Sequence, residues 1–128
     1  MPRQVIHTDK APAPIGPYSQ AIKTGDTVYV SGQGGLVPET MQLAGPTVAA
    51  QTEQTLRNIA AILEAAGTDL AHVVKVNVLL ADINTFSEMN EVYRTFFPID
   101  PPARMTYAVR DLPLGVLVEI DAVAVMPD

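Results

Sequence analysis

The fold open to this chain is narrowed most by a change of hydrophobic period near its middle. Between Thr47 and Ala66, the residues Val48, Thr52, Thr55, Leu56, Ile59, Ile62, Leu63 and Ala66 recur every three or four positions. That spacing puts them on one face of a helix. Pro46 suits the start of that helix and Gly67 its end. Beyond Gly67 the period drops to two. Val74, Val76, Val78 and Leu80 alternate with Val73, Lys75, Asn77 and Leu79, as in a strand. A helix with one apolar face must bury it against another element, and a sheet built around this strand is the natural partner.

The flanks supply the rest of the sheet. Arg3–His7 reads as a short strand, and Ala11 to Pro17 as a loop stiffened by Pro12, Pro14 and Pro17. Tyr18–Ile22 and Thr27–Ser31 read as strands around a Thr24-Gly25-Asp26 turn. Val28 and Val30 then face one side, and Thr27, Tyr29 and Ser31 the other. Gly32-Gln33-Gly34-Gly35 is either a flexible turn or a place where backbone approaches a ligand. It lacks the Gly-Lys-Ser/Thr ending of a phosphate loop. A second helix spans about Thr85 to Phe97, capped by Asp82 or Asn84 and ended by Pro98, Pro101 and Pro102. The last two strands are about Arg104–Val109 and Val116–Val125.

The order predicts an α+β fold: a mixed six-stranded sheet with two helices on one face, one domain over residues 1–128. The other sheet face carries apolar residues and is expected to be covered by other subunits.

Composition removes several function classes. With no cysteine there is no disulfide frame, thiolate zinc site or cysteine nucleophile, which fits the cytoplasm. A net charge of −6 without a basic run disfavours nucleic-acid binding. The two histidines, His7 and His72, lie far apart, so a histidine metal site or serine–histidine triad has little support. The N-terminus lacks the apolar core of a signal peptide, and no apolar run is long enough to span a membrane.

Two charged residues stand out. Arg104 follows Pro101-Pro102-Ala103, and Glu119 interrupts the apolar run from Val116 to Ile120. A guanidinium can grip a carboxylate bidentately. A carboxylate among apolar residues can exchange protons. In one pocket the two would suit a small carboxylate substrate that needs proton transfer. Taken alone, they read more simply as an ion pair or as two ends that never meet. Asn90 is an amide on the stripe of Phe86, Met89, Tyr93 and Phe97, best read as a structural amide bonded to a neighbouring loop. Ser31 can donate a hydrogen bond to a substrate, and Tyr18 can supply packing or a phenol.

Together the segments Ile15-Gly16-Pro17-Tyr18-Ser19-Gln20-Ala21, Val30-Ser31-Gly32-Gln33, Gln51 to Asn58, Phe86 to Asn90, Tyr93 to Phe97, Pro101 to Arg104 and Val118 to Ala124 resemble the reactive-intermediate deaminase (RidA/YjgF) family. The resemblance covers almost the whole chain. It implies a chorismate-mutase-like fold and a homotrimer with sites between subunits. It also implies cofactor-free, metal-free hydrolysis of enamines and imines such as 2-aminoacrylate to 2-keto acids and ammonia. By position, Arg104 would hold the substrate carboxylate and Glu119 would activate water. Tyr18, Ser31 and Gly32 would line the pocket, and Asn90 would order it. Many relatives carry a cysteine where this chain has Thr106, which can still donate a hydrogen bond. Gly34-Gly35 replaces bulkier residues, so a roomier or more mobile pocket mouth is expected. The alternatives are a non-catalytic sensor of small carboxylates and, with less support, an endoribonuclease.

Overall fold

The computed structural model describes residues 2–128. The elements are β1 (Arg3–Ile6), β2 (Ala21–Thr24), β3 (Thr27–Gly34), α1 (Val48–Ala66), β4 (Val73–Leu80), α2 (Phe86–Phe96), β5 (Ala103–Ala108) and β6 (Val118–Val125). They form a six-stranded sheet in the order β1-β2-β3-β6-β4-β5. Only β4 and β5 run parallel; the other neighbours are antiparallel. The sheet is therefore mixed, and the architecture is α+β as the sequence predicts.

Helix α1 forms where the period demands it. Thr47 caps it by accepting from the Ala50 amide at 3.1 Å, and Gly67 ends it in the left-handed region at φ 92°. All eight residues of the expected stripe are buried. The six apolar ones, Val48, Leu56, Ile59, Ile62, Leu63 and Ala66, join Met89 and Tyr93 of α2 and Val28, Val30, Val76, Val78, Val118 and Ile120 of the sheet in one apolar core. Both helices thus cover the same sheet face.

Several boundaries differ from expectation, each for a local reason. The strand expected over Tyr18–Ile22 begins only at Ala21. Residues 18–20 are taken up by a tight turn, with the Tyr18 amide donating to Gly16 O at 2.8 Å, and by the Gln20 side chain. That buried amide donates to the carbonyls of Thr8, Ala11 and Pro12 and accepts from the Thr8 amide. In β4 the register shifts between Val73 and Lys75. The bulge buries Val73 and exposes Val74, against the simple alternation. Asp82 caps the short turn before α2, and no side chain caps α2 itself.

Gly32 to Gly34 are not a flexible turn. They extend β3, with a bulge between Val30 and Gln33 where it pairs with β6. Nor do Gly34 and Gly35 loosen the cavity mouth. A Cβ on Gly34 would meet Val116 Cγ1 at 2.8 Å, and one on Gly35 would meet Gln51 Cα and carbonyl O at 2.7 Å. The second contact is with backbone, which cannot step aside. Gly35→Ala is expected to destabilise the fold by about 1–3 kcal/mol. A thermal melt unchanged from wild type would contradict this packing.

The face of the sheet away from the helices is uncovered. Tyr29, Met105 and Tyr107 are exposed on it, beside the half-buried Leu79 and Val123.

Candidate active site

The strand pairing sorts the candidate residues onto two sides of the sheet. Arg104 on β5 lies opposite Val76 of β4, and Val76 is buried under the helices. Glu119 on β6 lies opposite Leu79, three positions along the same strand. Side chains alternate in a strand, so positions three apart face opposite ways. Arg104 and Glu119 are on opposite faces and make no ion pair. Of the sequence readings, the ordinary ion pair within one chain is excluded.

Glu119 stands in a cavity of about 330 Å³. Its walls include Tyr18, Ser31, Gly32, Leu36 and Val116. Three of the expected site residues, Tyr18, Ser31 and Gly32, therefore do converge on Glu119. Gly32 is pressed against the carboxylate, since a Cβ there would sit 2.7 Å from Glu119 Oε2. Burial pushes the Glu119 carboxyl above the usual carboxylate range, and the charge of nearby Asp121 adds to the rise. Ser31 differs from expectation in one respect. Its hydroxyl donates to Ser19 O at 2.6 Å, so its one proton is committed and it faces a ligand as an acceptor. The Tyr18 hydroxyl accepts from the Ile15 amide at 3.2 Å, which leaves its own proton free to donate.

Buried amides that the sequence reading gave no role build this cavity. Gln51, 1% exposed, donates to Gly45 O at 2.9 Å and accepts from the Leu117 amide at 2.7 Å. It joins the loop before α1 to the segment that leads into β6 and Glu119. Asn58 donates to Leu36 O at 2.9 Å. Both sit at the margin of the apolar stripe of α1, a polar edge visible in the sequence but without an assigned task.

The second group lies across the sheet. Asn90, Tyr93, Phe97, Pro101, Pro102 and Arg104 line a cleft of about 300 Å³. The Arg104 guanidinium rests over two rings, 4.7 Å from the centre of Tyr93 and 5.6 Å from that of Phe86. Such stacking holds the planar cation in place. Thr106 follows on the same face of β5. Asn90 Oδ1, Tyr93 OH and Thr106 Oγ1 are all buried without a hydrogen-bond partner. Asn90 is thus not the satisfied structural amide expected. Burial raises the Tyr93 pKa, and the Arg104 charge opposes that rise. Orphaned buried polar atoms are unusual and call for an explanation. All three belong to α2 and β5, the elements that carry the cleft, and Arg104 makes no salt bridge among the described residues. Tyr93 was read only as part of an apolar stripe; its hydroxyl was the missed signal.

Among the described residues no group of three or more histidine, aspartate or glutamate side chains could hold a metal ion. No helix among them is long and apolar enough to cross a membrane.

Comparison with known proteins gives a consistent picture. The model of a family described as endoribonuclease L-PSP matches residues 8–126. A mouse protein named 2-iminobutanoate/2-iminopropanoate deaminase is 52% identical over 123 residues, spanning 96% of this chain and 91% of that protein. The crystal structure of RidA from an Antarctic Psychrobacter superposes with a TM-score of 0.93 at 50% identity, covering 96% of this chain and 99% of the other. E. coli TdcF, solved with bound serine, superposes with a TM-score of 0.93 at 37% identity, covering 97% and 99%.

Proposed function

This chain belongs to the endoribonuclease L-PSP family, the RidA/YjgF group, and on that footing we propose that it is a cytoplasmic deaminase that hydrolyses 2-imino acids to 2-keto acids and ammonia. The observation that carries the reading is the division of the polar residues. One face bears an anion anchor with unmet hydrogen-bond capacity. The other bears a proton-exchanging carboxyl in a cavity. Neither half is a complete site. Two copies that bring Arg104 of one against Glu119 of the other would complete it, and a homotrimer of chorismate-mutase-like subunits would do so three times. The uncovered apolar sheet face supports such an assembly.

In this site the imino acid's carboxylate binds Arg104, with Thr106 and Asn90 taking up remaining hydrogen bonds. Glu119 accepts a proton from water as the water oxygen bonds to the imine carbon. The proton passes to the imine nitrogen, giving a carbinolamine. The hydroxyl proton then moves by way of Glu119 to the nitrogen as the C–N bond breaks, so the carbonyl forms and ammonia leaves. An enamine such as 2-aminoacrylate enters the same route after gaining a proton at its terminal carbon and losing one from nitrogen. Water attack on an imine needs placement and a proton relay, with no cofactor, metal or covalent nucleophile.

The test is ammonia release from freshly generated 2-aminoacrylate. Wild-type protein should accelerate it well above the spontaneous rate, and the spontaneous rate alone would overturn the proposal. TdcF with bound serine favours a second reading, a protein that binds small carboxylates without turnover. That reading needs Arg104 but not Glu119. RNA cleavage, the activity in the family's description, is the weakest of the three for a chain of net charge −6.

A further inference from the structure

Among the described residues, three other than glycine hold a positive φ: Met41 at 58°, Asp100 at 45° and Leu114 at 61°. Met41 and Leu114 both line the Glu119 cavity. Met41 closes a tight loop, its amide donating to Val37 O at 2.7 Å while the Val37 amide donates to Gln42 O at 2.8 Å. Leu114 lies in the turn after Pro113 and is 57% exposed in a single copy. Glycine would adopt both conformations freely, whereas a residue with a Cβ is strained there. Backbone strain gathered at one cavity points to a task for the side chains it presents.

The shape of the cavity suggests the task. Its volume, about 330 Å³, lies near the lower end of small-molecule sites, roughly 300–1,000 Å³. The half of the site that one copy supplies is thus already larger than the methyl side chain of 2-iminopropanoate requires. Beside the polar Glu119, Ser31, Tyr18 and Gln33, the cavity has an apolar wall of Ile15, Leu36, Met41, Leu114 and Val116. We infer that Met41 and Leu114 are specificity-determining residues, which enclose the substrate's side chain and select 2-imino acids with a branched apolar side chain over 2-iminopropanoate. The inference rests on the deaminase reading and adds the substrate class. Each buried methylene is worth about fourfold in binding. An imine with a 2-methylpropyl side chain should therefore exceed the methyl homologue in kcat/KM by roughly tenfold or more.

The experiment compares wild type with Met41→Gly, Leu114→Gly and the double variant. Imines are generated from leucine and alanine by an amino-acid oxidase, and kcat/KM is read by semicarbazide competition. Binding of 4-methyl-2-oxopentanoate and of pyruvate is measured alongside by calorimetry. The double variant should lose at least about fivefold of the leucine-to-alanine preference. Its melting temperature should stay close to wild type, because glycine relieves the strained φ. A preference unchanged within twofold in both measurements overturns the inference and assigns the exposed Ile15 and Leu114 to the contact between copies. Preferential binding of the longer oxo acid that depends on Met41 and Leu114, without imine turnover, upholds the chamber while sinking the deaminase reading.

Discussion

Arg104→Ala should lower kcat/KM for 2-iminopropanoate by about 10²-fold or more, because truncating one partner of a hydrogen-bonded charge pair costs about 2–5 kcal/mol. The loss should appear mainly in KM if Arg104 grips substrate and transition state alike, and in kcat if it sets the angle of water attack. Arg104→Lys keeps the charge. It loses the planar fork and its stacking on Tyr93 and Phe86, so it should recover only part of the activity. A lysine variant as active as wild type would mean that charge alone is needed. An active alanine variant would remove Arg104 from the site.

Glu119→Gln should lower kcat by about 10²–10⁴-fold, the usual range for a lost general acid–base group. Binding of a 2-oxo acid should change little, since the amide keeps the shape of the carboxyl. The sensor reading expects neither loss. The pH dependence follows from the direction of the Glu119 shift. Burial, then Asp121, raises its pKa above the ordinary 4.5, so the folded chain holds this proton more tightly than the unfolded one. The resulting stability is fully present below pH 4.5 and is lost as pH rises through the folded-state value. At neutral pH the ionised carboxylate therefore weighs against folding. Glu119→Gln should melt at a higher temperature than wild type at pH 8, with the gain vanishing at low pH. If Glu119 is the base, the acid limb of kcat/KM should also lie above 4.5, and Asp121→Asn should move it down. An Arg104 of the partner subunit would likewise lower it, against burial and Asp121, because a nearby cation favours the carboxylate. A limb that rises in Arg104→Ala would reveal that pull. A Glu119→Gln protein with wild-type turnover would refute the proposed chemistry.

Much of this architecture was legible in the sequence, because period and punctuation do not depend on distant partners. The stripe of α1, its Thr47–Gly67 limits and the Gly25 turn are all local. What was not legible depends on tertiary contacts. The β4 bulge that turns Val74 outward is set by pairing with β6. Gly35 looked like flexibility until the backbone of Gln51 appeared against it. Ser31 looked like a donor until Ser19 O claimed its proton. Arg104 and Glu119 could be picked out by residue type. That they face opposite sides of the sheet follows from strand register, which no local pattern of this chain specifies.

The central claim is that the working site takes Arg104 from one copy and Glu119 from another. Subunits carrying Arg104→Ala and subunits carrying Glu119→Gln, each inactive alone, can be co-expressed with different tags and the mixed oligomers isolated. In a mixed trimer one of the three interfaces, roughly one third, would then hold both native side chains. The account predicts that imine deamination returns to about that fraction of wild type. Mixed oligomers no more active than the two parents would contradict it.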